Sequence, residues 1–281
     1  MEAGRAALAA ARAVAGPVMS LPAAALPTAL APASPALPDA ALARAVAGLL
    51  QRPLTQLHPS WLPADWPLAW RRPARFGDAA ADVLAALLGL AADAVARDTL
   101  VRALTGEGDV RADVLPRIVL MDRPALRLLA LWVGLAVHKP GFASERRIVP
   151  APLANIESIA GSLIGQLPRA MRRVARRIDA QAVAFLLKRV PDLSELPMNL
   201  APLRARPSGA GRVMAERGYR LLCGLMAGYG APLRQALMRK FPRRLAALPP
   251  VALTRAQAAQ LRELLLLNLI PERFPAWHWL F

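Results

Sequence analysis

The stretch from Leu126 to Val137 constrains this chain most. It carries Leu126, Leu128, Leu129, Leu131, Trp132 and Leu135, and is apolar on nearly all sides of a helix. A helix with no polar face cannot lie on a surface, so this one is expected to be central and buried. Its ends are punctuated. Asp122-Arg123-Pro124 puts a capping carboxylate and a first-turn proline at the start, and His138-Lys139-Pro140-Gly141 closes it. The uncharged run Leu128 to Val137 is too short to span a bilayer, which takes about 20 residues.

Helical periodicity recurs on both sides. Asp39 is placed to cap a helix through Leu42, Val46, Leu49 and Leu50 that Pro53 ends. The Pro/Trp segment His58 to Pro67 reads as irregular, with Trp61, Trp66 and Trp70 anchoring it to the core, since large aromatic rings usually bury. Asp78 starts a helix carrying Val83, Leu84, Leu87 and Val95, and the following segment stops at Gly106-Glu107-Gly108-Asp109. Asn155 caps a helix through Ile164, and Asp179 starts one with Val183, Phe185, Leu186 and Val190. Arg212 to Tyr229 reads as helix, its Gly218, Gly224 and Gly228 suited to close helix packing. Pro232 to Phe241 continues it, Pro249-Pro250 breaks, and Thr254 caps a last helix to Ile270. No polar/β-branched alternation marks a strand. The fold class is therefore all-α: an irregular multi-helix domain over residues 39–281. Residues 1–38 read as a disordered Ala/Pro-rich leader, lacking the large apolar side chains that offset chain entropy. Within it Arg12 interrupts any signal-peptide core, and Met19 is an alternative start.

Charge narrows the function. Lys and Arg total 36 against 19 acidic residues, a formal charge of +17, and only Lys139, Lys188 and Lys240 are lysines. Such a balance attracts anionic surfaces. Chemistry-bearing patterns are missing. His58, His138 and His278 stand at no metal-ligand spacing from another His, Cys or carboxylate. His138 sits at a helix end, where a cation suits the dipole. Gly209-Ala210-Gly211 lacks the third glycine and preceding strand of a dinucleotide fingerprint, and Ala160-Gly161-Ser162 is no nucleophile elbow. The single Cys223, in an apolar run, reads as a small buried hydrophobe. No catalytic residue, cofactor or metal is expected.

The sharpest local feature is the basic run Arg169, Arg172, Arg173, Arg176 and Arg177, with Met171, Val174 and Ile178 on the opposite helix face. It reads either as a solvated face or as a docking surface for an acidic protein, anionic lipid or nucleic acid. Interleaved aromatics would favour nucleic acid, and the run has none.

The order of segments from Val114 to Leu200 carries a resemblance. Arg123-Pro124-Ala125-Leu126-Arg127 leads into Leu128 to His138, a basic stretch follows, then Ile178 to Val183 and Phe185 to Val190; His58-Pro59-Ser60-Trp61-Leu62-Pro63 stands upstream. This pattern resembles the SctK family (also YscK, OrgA and MxiK), the sorting-platform adaptors of bacterial type III secretion systems. The resemblance implies a helical, non-enzymatic adaptor at the cytosolic face of the inner membrane. Its implied partners are the cytoplasmic domain of the inner-membrane ring protein and the SctQ-type platform protein. It implies no small-molecule substrate, and membrane contact only through those partners. No functional residue carries over one by one, and the Trp277 to Phe281 end belongs to no part of the pattern. The rival reading is a basic helical protein that binds nucleic acid or an anionic membrane directly.

Overall fold

The computed structural model describes residues 38–66, 78–87, 93–106, 113–139, 180–196 and 209–281. Every regular element among them is helical and none is a strand, as the periodicity predicts. In chain order the helices are α1 (Pro38–Gln51), α2 (Pro53–Gln56), α3 (Asp78–Leu87), α4 (Ala94–Thr105), α5 (Arg123–Val137), α6 (Ala180–Arg189), α7 (Ala210–Ala227), α8 (Ala231–Arg239), α9 (Arg243–Ala246), α10 (Arg255–Glu263) and α11 (Ile270–Arg273). Short 3₁₀ segments cover Pro59–Trp61, Leu115–Leu120 and Pro275–Leu280.

The axis of the fold is the crossing of α5 and α7, the most extensive helix pair. α5 starts where the sequence places it: the Asp122 carboxylate accepts from the Ala125 amide at 2.7 Å, and proline occupies the first turn. From Leu129 onward α5 is buried apart from Leu131, so its apolar circumference has partners on all sides. The two backbones touch through glycine. A Cβ on Gly134 would stand 1.9 Å from the Met214 carbonyl oxygen, and one on Gly218 only 1.7 Å from that of Ala130. Gly224 does the same for the strap after α9, where its Cβ would fall 2.1 Å from the Val251 carbonyl. The close packing expected of Gly218 and Gly224 is therefore present. Gly228 has only ordinary contact.

Around this pair one apolar cluster gathers Leu42 and Val46 of α1, Leu100 and Leu104 of α4, Leu186 of α6, Leu237 of α8 and Leu261 of α10. Phe185 meets Trp132 edge to face at 5.2 Å, and the Arg273 guanidinium lies 4.3 Å above the Trp132 ring. A second small cluster of Leu54, Leu57, Leu62 and Ala85, with Trp61 and Trp66 against it, sits under the Pro/Trp segment. The anchoring role of Trp61 and Trp66 holds. The segment is less irregular than expected, because Pro59 opens a short helical turn within it. Trp70 lies outside the described residues.

Several boundaries differ from the periodicity. α1 begins at Pro38, so Asp39 falls inside the helix instead of capping it. The helix expected to run from Asp78 to Val95 is interrupted. α4 makes a fresh start at Asp93, whose carboxylate accepts from the Ala96 amide at 2.6 Å. Val83 and Val95, read as core positions, are 60% and 76% exposed. α4 stops at Gly106 in the left-handed region (φ 76°), as the Gly-rich turn predicts. α7 and α8 are separate helices, parted at Gly230 with φ 101°. The last helix carries the Thr254 cap, completed by Gln257 as a capping box, but widens into a π-helical stretch over Leu264–Leu269. That stretch buries Leu264, Leu265 and Leu269 and leaves Leu267 69% exposed. Residues 1–37 of the expected leader, the helix expected from Asn155 and residues 197–208 lie outside the described residues.

Candidate functional site

The first two turns of α5 show what the rest of that helix does not: an exposed face. Arg127 and Leu128 point outward, and Leu128 is 46% exposed. Beside them run the start of α7, carrying Gly211, Arg212 and Ala215, and the turn from Phe241 into α9, carrying Pro242, Arg244 and Leu245. His58 and Pro59 close the far end. Together they bound a groove of about 870 Å³. Its floor is aliphatic, from Pro124, Leu128, Leu131 and Pro242. Among the described residues its rim holds four arginines, Arg123, Arg127, Arg212 and Arg244, against a single carboxylate, Glu216.

Hydrogen bonds across the chain fix the walls. The Arg123 guanidinium donates to the Leu57 carbonyl at 2.8 Å, and the His58 amide to the Arg239 carbonyl at 2.8 Å. The Trp61 indole donates to the Phe241 carbonyl at 2.9 Å, and the Arg243 amide to the Ser60 hydroxyl oxygen at 2.8 Å. Beneath them Lys240 is 1% exposed and donates to the Met121 carbonyl at 2.7 Å. Burial pulls its pKa down to about 7, against the opposing pull of Asp122. The loop 57–62, the α8–α9 turn and the start of α5 are thus tied into one unit.

The rim charges are not cancelled locally. Glu216 is engaged by Arg212 at 2.8 Å, one turn away on α7. Arg127 and Arg244 are exposed and have no hydrogen bond or ion pair with a described residue. Their field reaches His58. Its imidazole is held below the ordinary histidine range by burial first, then by the charges of Arg123, Arg127 and Arg244. His58 keeps Nδ1 as an acceptor for the Ser60 amide at 3.1 Å.

His138 corrects the sequence reading. It does cap the C-terminal end of α5, but as a neutral ring buried in the core. Nδ1–H donates to the Gly134 carbonyl, and Nε2 accepts from the Arg217 guanidinium of α7. Burial pushes its pKa down to about 4, with Arg217 adding to the effect and the Gly134 bond opposing it. A protonated ring would have no acceptor lone pair for Arg217 and would place two cations together. Cys223 is a buried, free thiol whose pKa burial raises to about 11, as a small hydrophobe's should be.

The arginines read from the sequence as a docking run, Arg169, Arg172, Arg173, Arg176 and Arg177, lie outside the described residues. The groove was not singled out from sequence. Its one local signal is Arg127-Leu128, an exposed pair in the first two turns of a helix whose later turns are buried. The other rim residues come from positions 58, 212 and 244, which only the fold brings together. Among the described residues no helix is long and apolar enough to cross a membrane, and no cluster of His, Cys, Asp and Glu could hold a metal ion. The chain matches no family model, no curated protein and no solved structure.

Proposed function

We propose that this chain is a non-enzymatic adaptor of a bacterial type III secretion apparatus, acting at the cytosolic face of the inner membrane. It links the cytoplasmic domain of the inner-membrane ring protein to the pods built by the SctQ-type platform protein. The observation that carries the reading is the SctK-like order of segments from Val114 to Leu200. An arginine-rich chain of +17 charge suits docking on acidic protein surfaces. No cofactor and no small-molecule substrate takes part.

Pull-down of both partners with wild type and the triple reversal R172E/R173E/R176E tests it. On the docking-surface reading the three arginines are surface positions, where changes usually cost within about 0.5 kcal/mol each, so a melting curve should stay close to wild type. Capture should weaken, chiefly through slower association, because exposed charges steer encounter. Unchanged capture by the folded variant would make the run a solvated face. The net charge also favours direct binding to nucleic acid or an anionic membrane. Capture of either in place of the two proteins, falling steeply with salt, would support that reading instead.

A further inference from the structure

From the groove between α5, α7 and the α8–α9 turn we infer a docking site for an acidic amphipathic segment of a partner protein. It takes the segment's apolar side chains on Leu128 and Leu131 and its carboxylates on Arg127 and Arg244. Three observations select this occupant. The floor is aliphatic and partly exposed: Leu128 stands 46% exposed on a helix whose later turns are buried. The rim is basic, and the one carboxylate in the lining already belongs to Arg212. The walls are tied by the hydrogen bonds to Leu57, Arg239 and Phe241, so the groove is preformed and little ordering is needed on binding. An amphipathic helix laid in such a groove reads as apolar anchors at one-turn spacing, flanked here by Glu or Asp.

The same geometry disfavours other occupants. A nucleic-acid strand needs several exposed rings for stacking, whereas the described lining offers only the half-buried His58 imidazole and Phe241, which is 2% exposed. The chain's own basic run at Arg169 to Arg177 carries the wrong sign for this rim. Bidentate carboxylate recognition suits the planar guanidinium, and both free rim cations are arginines.

The proposal rests on the adaptor reading only for the existence of a protein partner. A synthetic probe therefore separates its failure from that of the secretion assignment. The probe is a fluorescent peptide of about 15 residues, with Leu at helical anchor spacing and Glu on the flanks; a control replaces every Glu by Gln. Anisotropy with the full chain should show saturable binding of the Glu peptide, and at least about tenfold weaker binding of the Gln peptide. R127E/R244E and L128N should each weaken the Glu peptide about tenfold or more at unchanged melting temperature. Should the reversals disturb folding, R127Q/R244Q replaces them. The His58 ring, one of only three histidines, gives a second readout by NMR. Bound carboxylates near Arg127 and Arg244 should raise its titration midpoint. No binding by wild type, equal affinity of R127E/R244E, or displacement of the peptide by an oligonucleotide of matching affinity would each overturn the proposal.

Discussion

Gly134 and Gly218 leave no room for a methyl group, and in both cases the obstructing atom is backbone. No side-chain rotation relieves such a clash; α5 and α7 would have to separate. Gly134→Ala and Gly218→Ala are therefore expected to destabilise by roughly 3 kcal/mol or more, in the range of severe overpacking. Gly48 is the internal control. It lies inside α1 with nothing within 4 Å of a built Cβ, so Gly48→Ala should stabilise by about 0.5–1 kcal/mol through helix propensity alone. Urea unfolding of the three variants reads both signs, and equal effects at positions 48 and 134 would contradict the packing. His138 predicts a pH dependence. Its folded pKa of about 4 lies below the unfolded value of 6.5, so between them the unfolded chain binds more protons. Stability is then fully present above pH 6.5 and lost as pH falls toward 4, by roughly 3 kcal/mol from this one group. His138→Gln should flatten that window relative to wild type in melting curves taken from pH 7 to 4. Residue identity made Gly218 and Cys223 readable as packing residues. His138 was not readable, because its charge state is set first by burial in the packed core and then by Arg217, far along the chain on another helix.

At the scale of elements, local chemistry was the reliable guide. Asp122 with Pro124 and Thr254 start helices, and Gly106 stops one, where their side chains or left-handed backbone do the work within four residues. Thr254→Ala should cost about 1 kcal/mol, because it removes the acceptor for the Gln257 amide and breaks the reciprocal capping box. A loss of helix content confined to the last elements, seen by hydrogen exchange over 255–263, is the expected signature; unchanged protection there would argue against the cap. Two of the misplaced boundaries were hidden by the sequence itself. Around Asp93 the surrounding Ala-rich sequence continues a helical period without a break, so the restart was hidden even though the cap residue was present. The π-helical stretch over Leu264–Leu269 was hidden by composition. Four successive leucines fit any register, and burial of Leu264, Leu265 and Leu269 together selects the wider turn.

For the whole molecule, the all-α class and the central place of α5 follow from hydrophobic period and length, which sequence displays directly. The groove does not, because its arginines belong to α5, α7 and α9 and acquire a shared field only when the helices cross. The field is legible in the structure through its effect on the His58 ring. On the function proposed above, the excess arginine of this chain meets acidic protein partners. The most direct measurement is affinity capture of the full chain from its native bacterium, under gentle lysis at physiological salt, with the bound proteins identified by mass spectrometry. The inner-membrane ring protein and the SctQ-type platform protein should be recovered together, and both in reduced amount when the bait carries R172E/R173E/R176E. Recovery of nucleic acid or unrelated proteins, with both secretion components absent from the wild-type capture, would contradict the proposed function.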